Sequence, residues 1–190
     1  METDRIKWNQ RFGMEDAYQG GHPSPFLERE IERILRLVPG RRALDLACGE
    51  GRNSIFLARH GFRVTGLDIS DVGIARGERQ ARAEGLEIDF RRQDLEGWHI
   101  GEEYDLIVNC NFLLRPLIPE EVDALAPGGL LLFDTILESP QLLATHNPDF
   151  FLRHGELERI FGAFEGEVLF SVELREGDMP TARVLFRKAG

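Results

Sequence analysis

The residues with the clearest chemical promise lie between positions 41 and 68, in RRALDLACGEGRNSIFLARHGFRVTGLD. There Asp45-Leu46-Ala47-Cys48-Gly49-Glu50-Gly51 sets an acid and two glycines at the end of an apolar run, and Asp68 closes a second such run. A carboxylate accepts two hydrogen bonds at once, so Asp68 suits the vicinal diol of a ribose. Gly49 and Gly51 remove side chains, which lets a ligand lie against the backbone. Two ligand classes fit this pattern. A dinucleotide needs G-x-G-x-x-G/A, so that a helix N-terminus can approach a pyrophosphate; Ser54 stands where the third small residue belongs. A nucleoside sulfonium needs the strand-end acid and the glycines but no phosphate grip, and Asp45 supplies that acid. Asp45 then holds either the loop or the ligand's amino group through a water.

Such a site requires a strand, a glycine loop, a helix and a second strand of a parallel sheet. Residues 41–47 read as the first strand, 52–60 as the helix with Gly61 behind it, and 62–68 as the second strand. Ser70 or Asp71 caps a helix that runs to about 84 and stops at Gly85. Residues 86–92 alternate as a strand, 94–103 form a loop and 104–110 read as a buried strand. A short helix over 115–125, opened by Pro119-Glu120-Glu121, precedes a Pro127-Gly128-Gly129 turn and a fifth strand over 130–136. Residues 137–152 read as loop, 153–161 as helix, and 165–173 and 183–188 as strands around the hairpin signal Glu176-Gly177-Asp178. Upstream, 4–14 forms a short helix with Trp8, Arg11 and Phe12 on one side, 18–25 a loop, and 26–38 a helix ended by Pro39-Gly40. The alternation predicts an α/β fold: a Rossmann-like, doubly wound sheet of seven strands, mostly parallel, with an antiparallel C-terminal hairpin strand. One domain is expected over 1–190, with an N-terminal lid and helix in 1–40 and a cofactor-binding core in 41–190.

The 190 residues carry a net charge of -10 and two lysines, Lys7 and Lys188, with no dense basic block. A phosphate backbone favours a basic face, so a small-molecule substrate is expected and nucleic acid is not. No metal-ligand spacing is present, and no metal is expected. Nothing resembles a signal core or a bilayer span, so no membrane partner and a cytoplasmic location are expected. Cys48 and Cys110 read as small packing residues, with a metalloid or redox site as the alternative.

With these residues in place, the chain resembles the class I S-adenosylmethionine-dependent methyltransferases. DLACGEGRNS is similar to their first motif, Asp68 in GLDIS to the acid that holds the ribose hydroxyls, and Gln93-Asp94-Leu95 to the loop beside the adenine. YDLIVNCN is similar to their fourth strand and Leu125-Ala126-Pro127-Gly128-Gly129-Leu130 to the turn before the fifth. More narrowly, Trp8-Asn9-Gln10-Arg11-Phe12, residues 111–117 and residues 147–152 resemble compact bacterial members often labelled tellurite-resistance-like. The resemblance implies S-adenosyl-L-methionine as cofactor and S-adenosyl-L-homocysteine as product. It implies contacts from Trp8, Arg11, Asp45, Ala47, Gly49, Gly51, Asn53, Asp68, Ile69, Gln93, Asp94 and Leu95, and from Asn109 through its backbone. Ile69 and Leu95 either sandwich the adenine or belong to the core. In the family's strand order the first and fourth strands are neighbours, which would bring Cys48 and Cys110 close.

Arg11 offers a guanidinium fork to the cofactor carboxylate, or forms a salt bridge with Glu15 or Asp16. Trp8, Phe12 and Tyr18 offer aromatic faces to a sulfonium. His22, Asn111, Arg115 and Arg153 are the first candidates for the acceptor, with Asp134 and Thr135 at the same sheet edge, His146 in a flanking loop, and His154 behind them. Arg115 either grips an anionic substrate or ties down the following loop. No catalytic residue is assigned: a thiol, a neutral amine or a metalloid needs no base, whereas an oxygen nucleophile does. The expected reaction is in-line methyl transfer to a small acceptor. The alternatives are a catalytically silent S-adenosylmethionine-binding protein and a nicotinamide-dependent oxidoreductase. A nucleic-acid methyltransferase would carry an aromatic D/NPPY loop where this chain has NCNF.

Overall fold

The computed structural model describes residues 2–14, 21–175 and 179–190. Its strands are β1 (Arg42–Leu46), β2 (Arg63–Asp68), β3 (Asp89–Arg92), β4 (Tyr104–Cys110), β5 (Leu125–Ile136), β6 (Gly166–Leu174) and β7 (Thr181–Lys188). Its helices are α1 (Glu2–Phe12), α2 (Pro25–Leu37), α3 (Arg52–Arg59), α4 (Asp71–Ala83), α5 (Ile118–Asp123), α6 (Pro140–Leu143) and α7 (Glu156–Phe161). The strands form one sheet in the order β3-β2-β1-β4-β5-β7-β6. Strands β1 to β5 pair in parallel, and β7 pairs antiparallel with both β5 and β6. The expected seven-stranded Rossmann-like sheet is what forms. The order reverses between β1 and β4, and a crevice opens outside the carboxyl ends of strands at such a point.

Each face of the sheet buries an apolar layer. Phe26, Leu27, Ile31 and Ile34 of α2 join Ala43, Val64, Leu106, Val108 and Leu132 on one side. Leu44, Leu46, Ile107, Leu131 and Phe133 meet Ile118, Val122, Leu157 and Phe161 on the other. Each large apolar side chain so buried contributes about 1.5–3 kcal/mol. Capping fixes where the helices start. Ser24 Oγ accepts from Phe26 N at 3.2 Å ahead of α2, and Ser70 Oγ accepts from Gly73 N at 3.0 Å ahead of α4.

Several element bounds depart from the sequence reading. β3 starts at Asp89 rather than 86, because Leu86 N bonds Ala81 O at 2.9 Å behind Gly85 (φ +67) and turns the chain off α4 first. β5 starts at Leu125 rather than 130: Leu125 pairs with Tyr104 and Leu130 with Leu106, so 126–129 bulges out opposite Asp105. α7 starts at Glu156 rather than 153, since Gly155 takes φ +69. A short helix, α6, forms inside the expected 137–152 loop, capped by Ser139 Oγ, which accepts from Leu142 N at 3.3 Å. The hairpin signal at 176–178 lies outside the described residues. Among the described residues no helix is long and apolar enough to cross a membrane.

Candidate functional site

The glycine loop, the acids and the later loop residues meet at one edge of the sheet, outside the carboxyl ends of β3, β2, β1 and β4. Two residues at that edge are strained. Ala47 after β1 (φ +50) and Asn111 after β4 (φ +59) are the non-glycine residues with positive φ among those described, and their strands are neighbours. A left-handed conformation costs an L-residue roughly 1–2 kcal/mol, and such strain gathers at functional sites.

Asp68 organises the loop. Its Oδ2 accepts from Gly49 N at 2.8 Å and its Oδ1 from Ser70 N at 2.8 Å, while Cys48 N bonds Leu67 O at 2.9 Å. Each carboxylate oxygen keeps a lone pair beyond these bonds. Asp45 is 1% exposed and accepts from Ser54 Oγ at 2.6 Å, and burial pushes it up to about 7. Asp134, in β5, accepts from Ser24 Oγ at 3.1 Å and from Arg183 Nε at 3.1 Å, and burial raises it as well. Burial also raises Asp68. Asp134 has Arg183 as its counter-charge, whereas Asp45 and Asp68 are buried with no cation in their hydrogen bonds, and a cationic ligand relieves that cost. This donor set suits a sulfonium and an ammonium; it offers no grip for a phosphate.

The two loop glycines have different reasons. A Cβ on Gly51 would lie 2.5 Å from Phe90 Cζ, one on Gly66 2.9 Å from Phe90 Cδ1, and one on Gly77 2.9 Å from Phe90 Cζ. The Phe90 ring of β3 therefore sits in a socket of three glycines, and Gly51 is needed to admit this ring. A Cβ on Gly49 would lie 2.9 Å from Phe12 Cζ, so Gly49 is covered by α1. Trp8 stacks on Phe12 at 5.7 Å between centroids. A polar latch holds α1 to α4: Asn9 Oδ1 accepts from Ser70 Oγ at 2.6 Å and Val72 N at 3.3 Å, and Arg5 pairs with Asp71. Arg76 Nη1 donates to Glu50 at 2.6 Å, and its Nη2 to the Met14 carbonyl. Arg11 is exposed on the last turn of α1. Its suggested partners Glu15 and Asp16, and Tyr18, lie outside the described residues.

The remaining candidates divide. Gln93 N bonds Asp68 O at 2.8 Å, which draws Gln93 and Asp94 alongside Asp68. Asp94 Oδ1 accepts from Glu96 N at 3.1 Å, an Asx turn. Ile69 is half-buried and Leu95 is a core residue. Asn53 Oδ1 accepts from Ser24 N at 2.8 Å, so the buried amide ties α3 to the start of α2. Asn109 turns its side chain toward α5, where Nδ2 donates to Glu121 Oε1 at 2.9 Å. His22 is exposed, and its carbonyl accepts from Arg52 Nη1 at 3.2 Å. Asn111 is exposed and its N bonds Asp134 O at 2.8 Å.

Arg115 is bound within the fold. Its Nε and Nη2 donate to Glu156 at 2.6 and 3.0 Å, Nη2 also to Phe151 O at 2.8 Å, and Nη1 to Asp149 O at 2.9 Å. The guanidinium ties down the 149–156 segment, the second of its two expected roles. Arg153 is exposed, and its N donates to Glu156 Oε2 at 2.7 Å. Thr135 is buried, His146 bonds Thr145 Oγ1 at 2.8 Å, and His154 pairs with Glu173 of β6 at 3.0 Å, a surface contact. Cys48 and Cys110 are buried free thiols, and burial raises both, which suppresses the reactive thiolate. Among the described residues no group of three or more His, Cys, Asp or Glu could hold a metal ion.

Asn9, Glu121 and the partners of Asp134, Ser24 and Arg183, are not read from the sequence as parts of this edge. Asn9 and Arg183 leave no local signal, since their partners are distant in sequence. Glu121 left one: it stands between Ile118, Val122 and Leu125 on the apolar stripe of its helix. A cleft of about 720 Å³, lined by Arg42, Arg63, Glu78, Asp89 and Tyr104, opens at the opposite, amino edge. Arg42, Arg82 and Arg91 there pair with Glu102, Glu78 and Asp89, and none of the loop acids reaches it.

Residues 43–129 match the family described as a methyltransferase domain. The ubiquinone biosynthesis O-methyltransferase of Nitrosococcus oceani is 31% identical over 157 residues, covering 77% of this chain and 64% of that protein. TehB from Haemophilus influenzae superposes with a TM-score of 0.66 at 26% identity, over 84% of this chain and 62% of that one. The N-methyltransferase NodS from Bradyrhizobium japonicum, solved with S-adenosyl-l-homocysteine, has a TM-score of 0.72 at 20% identity over 98% of each chain, a likeness of fold. The chain spans less than two thirds of the length of the curated relatives described here, 64% of the Nitrosococcus enzyme and 38% of Haemophilus influenzae TehB.

Proposed function

We propose that the chain is a class I S-adenosylmethionine-dependent methyltransferase of the TehB-like kind, and that it transfers the methyl group of S-adenosylmethionine to a small-molecule acceptor by in-line displacement. The observation that carries this reading is the set of buried carboxylates Asp45, Asp68 and Asp134 at the switch-point edge. In it, the remaining lone pairs of Asp68 take the ribose hydroxyls, and Asp45 faces the amino group. Gln93, Asp94, Leu95 and Ile69 border the adenine. The main chain at Ala47, Gly49 and Asn109 lies along the methionine portion. Trp8 and Arg11 close over it from α1.

When bound, the cofactor supplies an electrophilic methyl on a sulfonium. This chain's own residues hold and align it. The buried acids favour the positive charge of the donor, and α1, seated on Gly49 through Phe12, excludes water from the edge. Both Asp134 oxygens are engaged by Ser24 and Arg183, so the reading assigns no base and suits an acceptor that arrives as a neutral nucleophile. His22, Asn111 and the 137–152 segment, braced by Arg115, form the acceptor side. A cytoplasmic location belongs to the same proposal, supported by the unbridged Cys48 and Cys110.

Thermal shift tests the donor. S-adenosylhomocysteine at about a hundredfold over its Kd should stabilise by ~2.7 kcal/mol, a rise of roughly 5–10 °C, while NAD should leave the midpoint unchanged. Stabilisation by NAD alone would sink the proposal in favour of an oxidoreductase. Transfer of labelled methyl to a member of a panel of thiol, amine and hydroxyl acceptors separates an enzyme from a silent binder.

A further inference from the structure

Glu121 of α5 and Asn109 of β4 are both fully buried. Asn109 Nδ2 donates to Glu121 Oε1, but Asn109 Oδ1 and Glu121 Oε2 have no hydrogen-bond partner, and they are the buried side-chain atoms in that state among the described residues. Among the described residues no cation bonds to either atom. Ile107, Leu131 and Phe133 from β4 and β5 lie on this face, and the other acids of α5, Glu120 and Asp123, lie further out, Glu120 bonded to His99 at 2.7 Å. An ionised carboxylate only accepts, so as an anion Glu121 would add an unmatched acceptor beside an unmatched acceptor. A buried carboxylate without a cation is strongly disfavoured.

A neutral carboxylic acid removes both problems with one proton. An acid and a primary amide are complementary: the amide N–H donates to one acid oxygen, and the acid O–H donates to the amide oxygen. A proton on Glu121 turns the two orphan acceptors into one donor and one acceptor. We propose that Glu121 is protonated in the folded protein and donates through Oε2–H to Asn109 Oδ1, which closes a two-bond acid–amide pair that fixes the carboxyl end of β4. Turning the amide over changes which oxygen carries the proton and still requires the neutral acid. Burial pushes Glu121 up to about 8, in the same direction. Asn109 pairs with Leu46 of β1 and Phe133 of β5, one residue before Cys110 and the strained Asn111. Glu121 is thus a positioning residue for the edge where the donor binds. That part rests on the methyltransferase reading; the protonation does not.

Carbon-13 NMR of the full chain with carboxyl-labelled glutamate reads the proton directly. One glutamate resonance should have the shift of a neutral acid near pH 7, titrate near pH 8, and vanish in Glu121→Gln. Finding every glutamate ionised at pH 7 would overturn the proposal. S-adenosylhomocysteine affinity, measured by calorimetry across the same range, reads the positioning. It should fall about tenfold in the wild type as Glu121 ionises and stay flat in Glu121→Gln, whose amide keeps two bonds to Asn109 without a titrating proton. Identical pH dependence in both proteins would overturn the positioning role. Absence of binding in both would overturn the methyltransferase reading and leave the NMR result standing.

Discussion

Replacing Gly51 with alanine should destabilise the protein well beyond the ordinary cost of a left-handed alanine. Gly51 holds φ +76, where a Cβ costs roughly 1–2 kcal/mol, offset by about 0.4–1 kcal/mol from the stiffer unfolded chain. Its Cβ would also lie 2.5 Å from Phe90 Cζ, with the ring already held by Gly66 and Gly77. The ring must shift against that seat, and overpacking of that kind adds about 1–3 kcal/mol. Gly61 is the internal control, because it holds φ +81 and a Cβ there meets nothing within 4 Å. Gly61→Ala should therefore cost about 1 kcal/mol, and Gly51→Ala about 2 kcal/mol more. Urea unfolding followed by far-UV circular dichroism measures both, and the difference should appear as a midpoint shift with the slope unchanged. Equal losses in the two variants would refute the socket and return Gly51 to a purely conformational or ligand-facing role. A Phe90→Leu background should remove most of the extra loss if the ring is its source.

Three further outcomes follow from the same geometry. Ala47→Gly should stabilise by about 0.5–1 kcal/mol, since it relieves φ +50 at a smaller entropic cost; the urea midpoint reports it. Asn9→Ala removes the acceptor for Ser70 Oγ and Val72 N, so α1 should be cleaved faster in limited proteolysis and S-adenosylhomocysteine should dissociate faster in stopped flow. Arg115→Ala should cost about 1–2 kcal/mol and speed cleavage within residues 143–150. Burial opposes ionisation of Glu156, but Arg115 and the Arg153 amide outweigh it and hold the carboxyl below its ordinary 4.5. The wild-type advantage over Arg115→Ala is therefore full above pH 4.5 and lost as pH falls through the folded value, which a pH series of thermal midpoints checks.

Local pattern reaches the helices and strands because apolar period and caps are local: the 104–110 run is β4 as read, and Ser70 caps α4 as read. It fails where the cause lies far along the chain. The start of β3 is set by how α4 ends, and the role of Gly51 by Phe90, on another strand. The acids Asp45 and Asp68 are legible because strand-end carboxylates after apolar runs stand out by type. Arg115 is ambiguous because its partner Glu156 is another loop away; only the fold shows each of its three nitrogens bonded to the 149–156 segment. Glu121 marks the boundary of what pattern conveys. Its place on an apolar stripe is readable, but the amide that explains it sits on β4.

The path of the chain through the sheet governs how it can be assembled during synthesis. β6 is made before β7 but pairs with β7 alone, and β5 shares its outer edge with β7. Until residues 181–188 leave the ribosome, the nascent chain carries an apolar β5 with unpaired amides and a β6 with no place to dock. Such an edge is a template for pairing with other chains, so the interval before β7 emerges is when this protein is most in need of a chaperone.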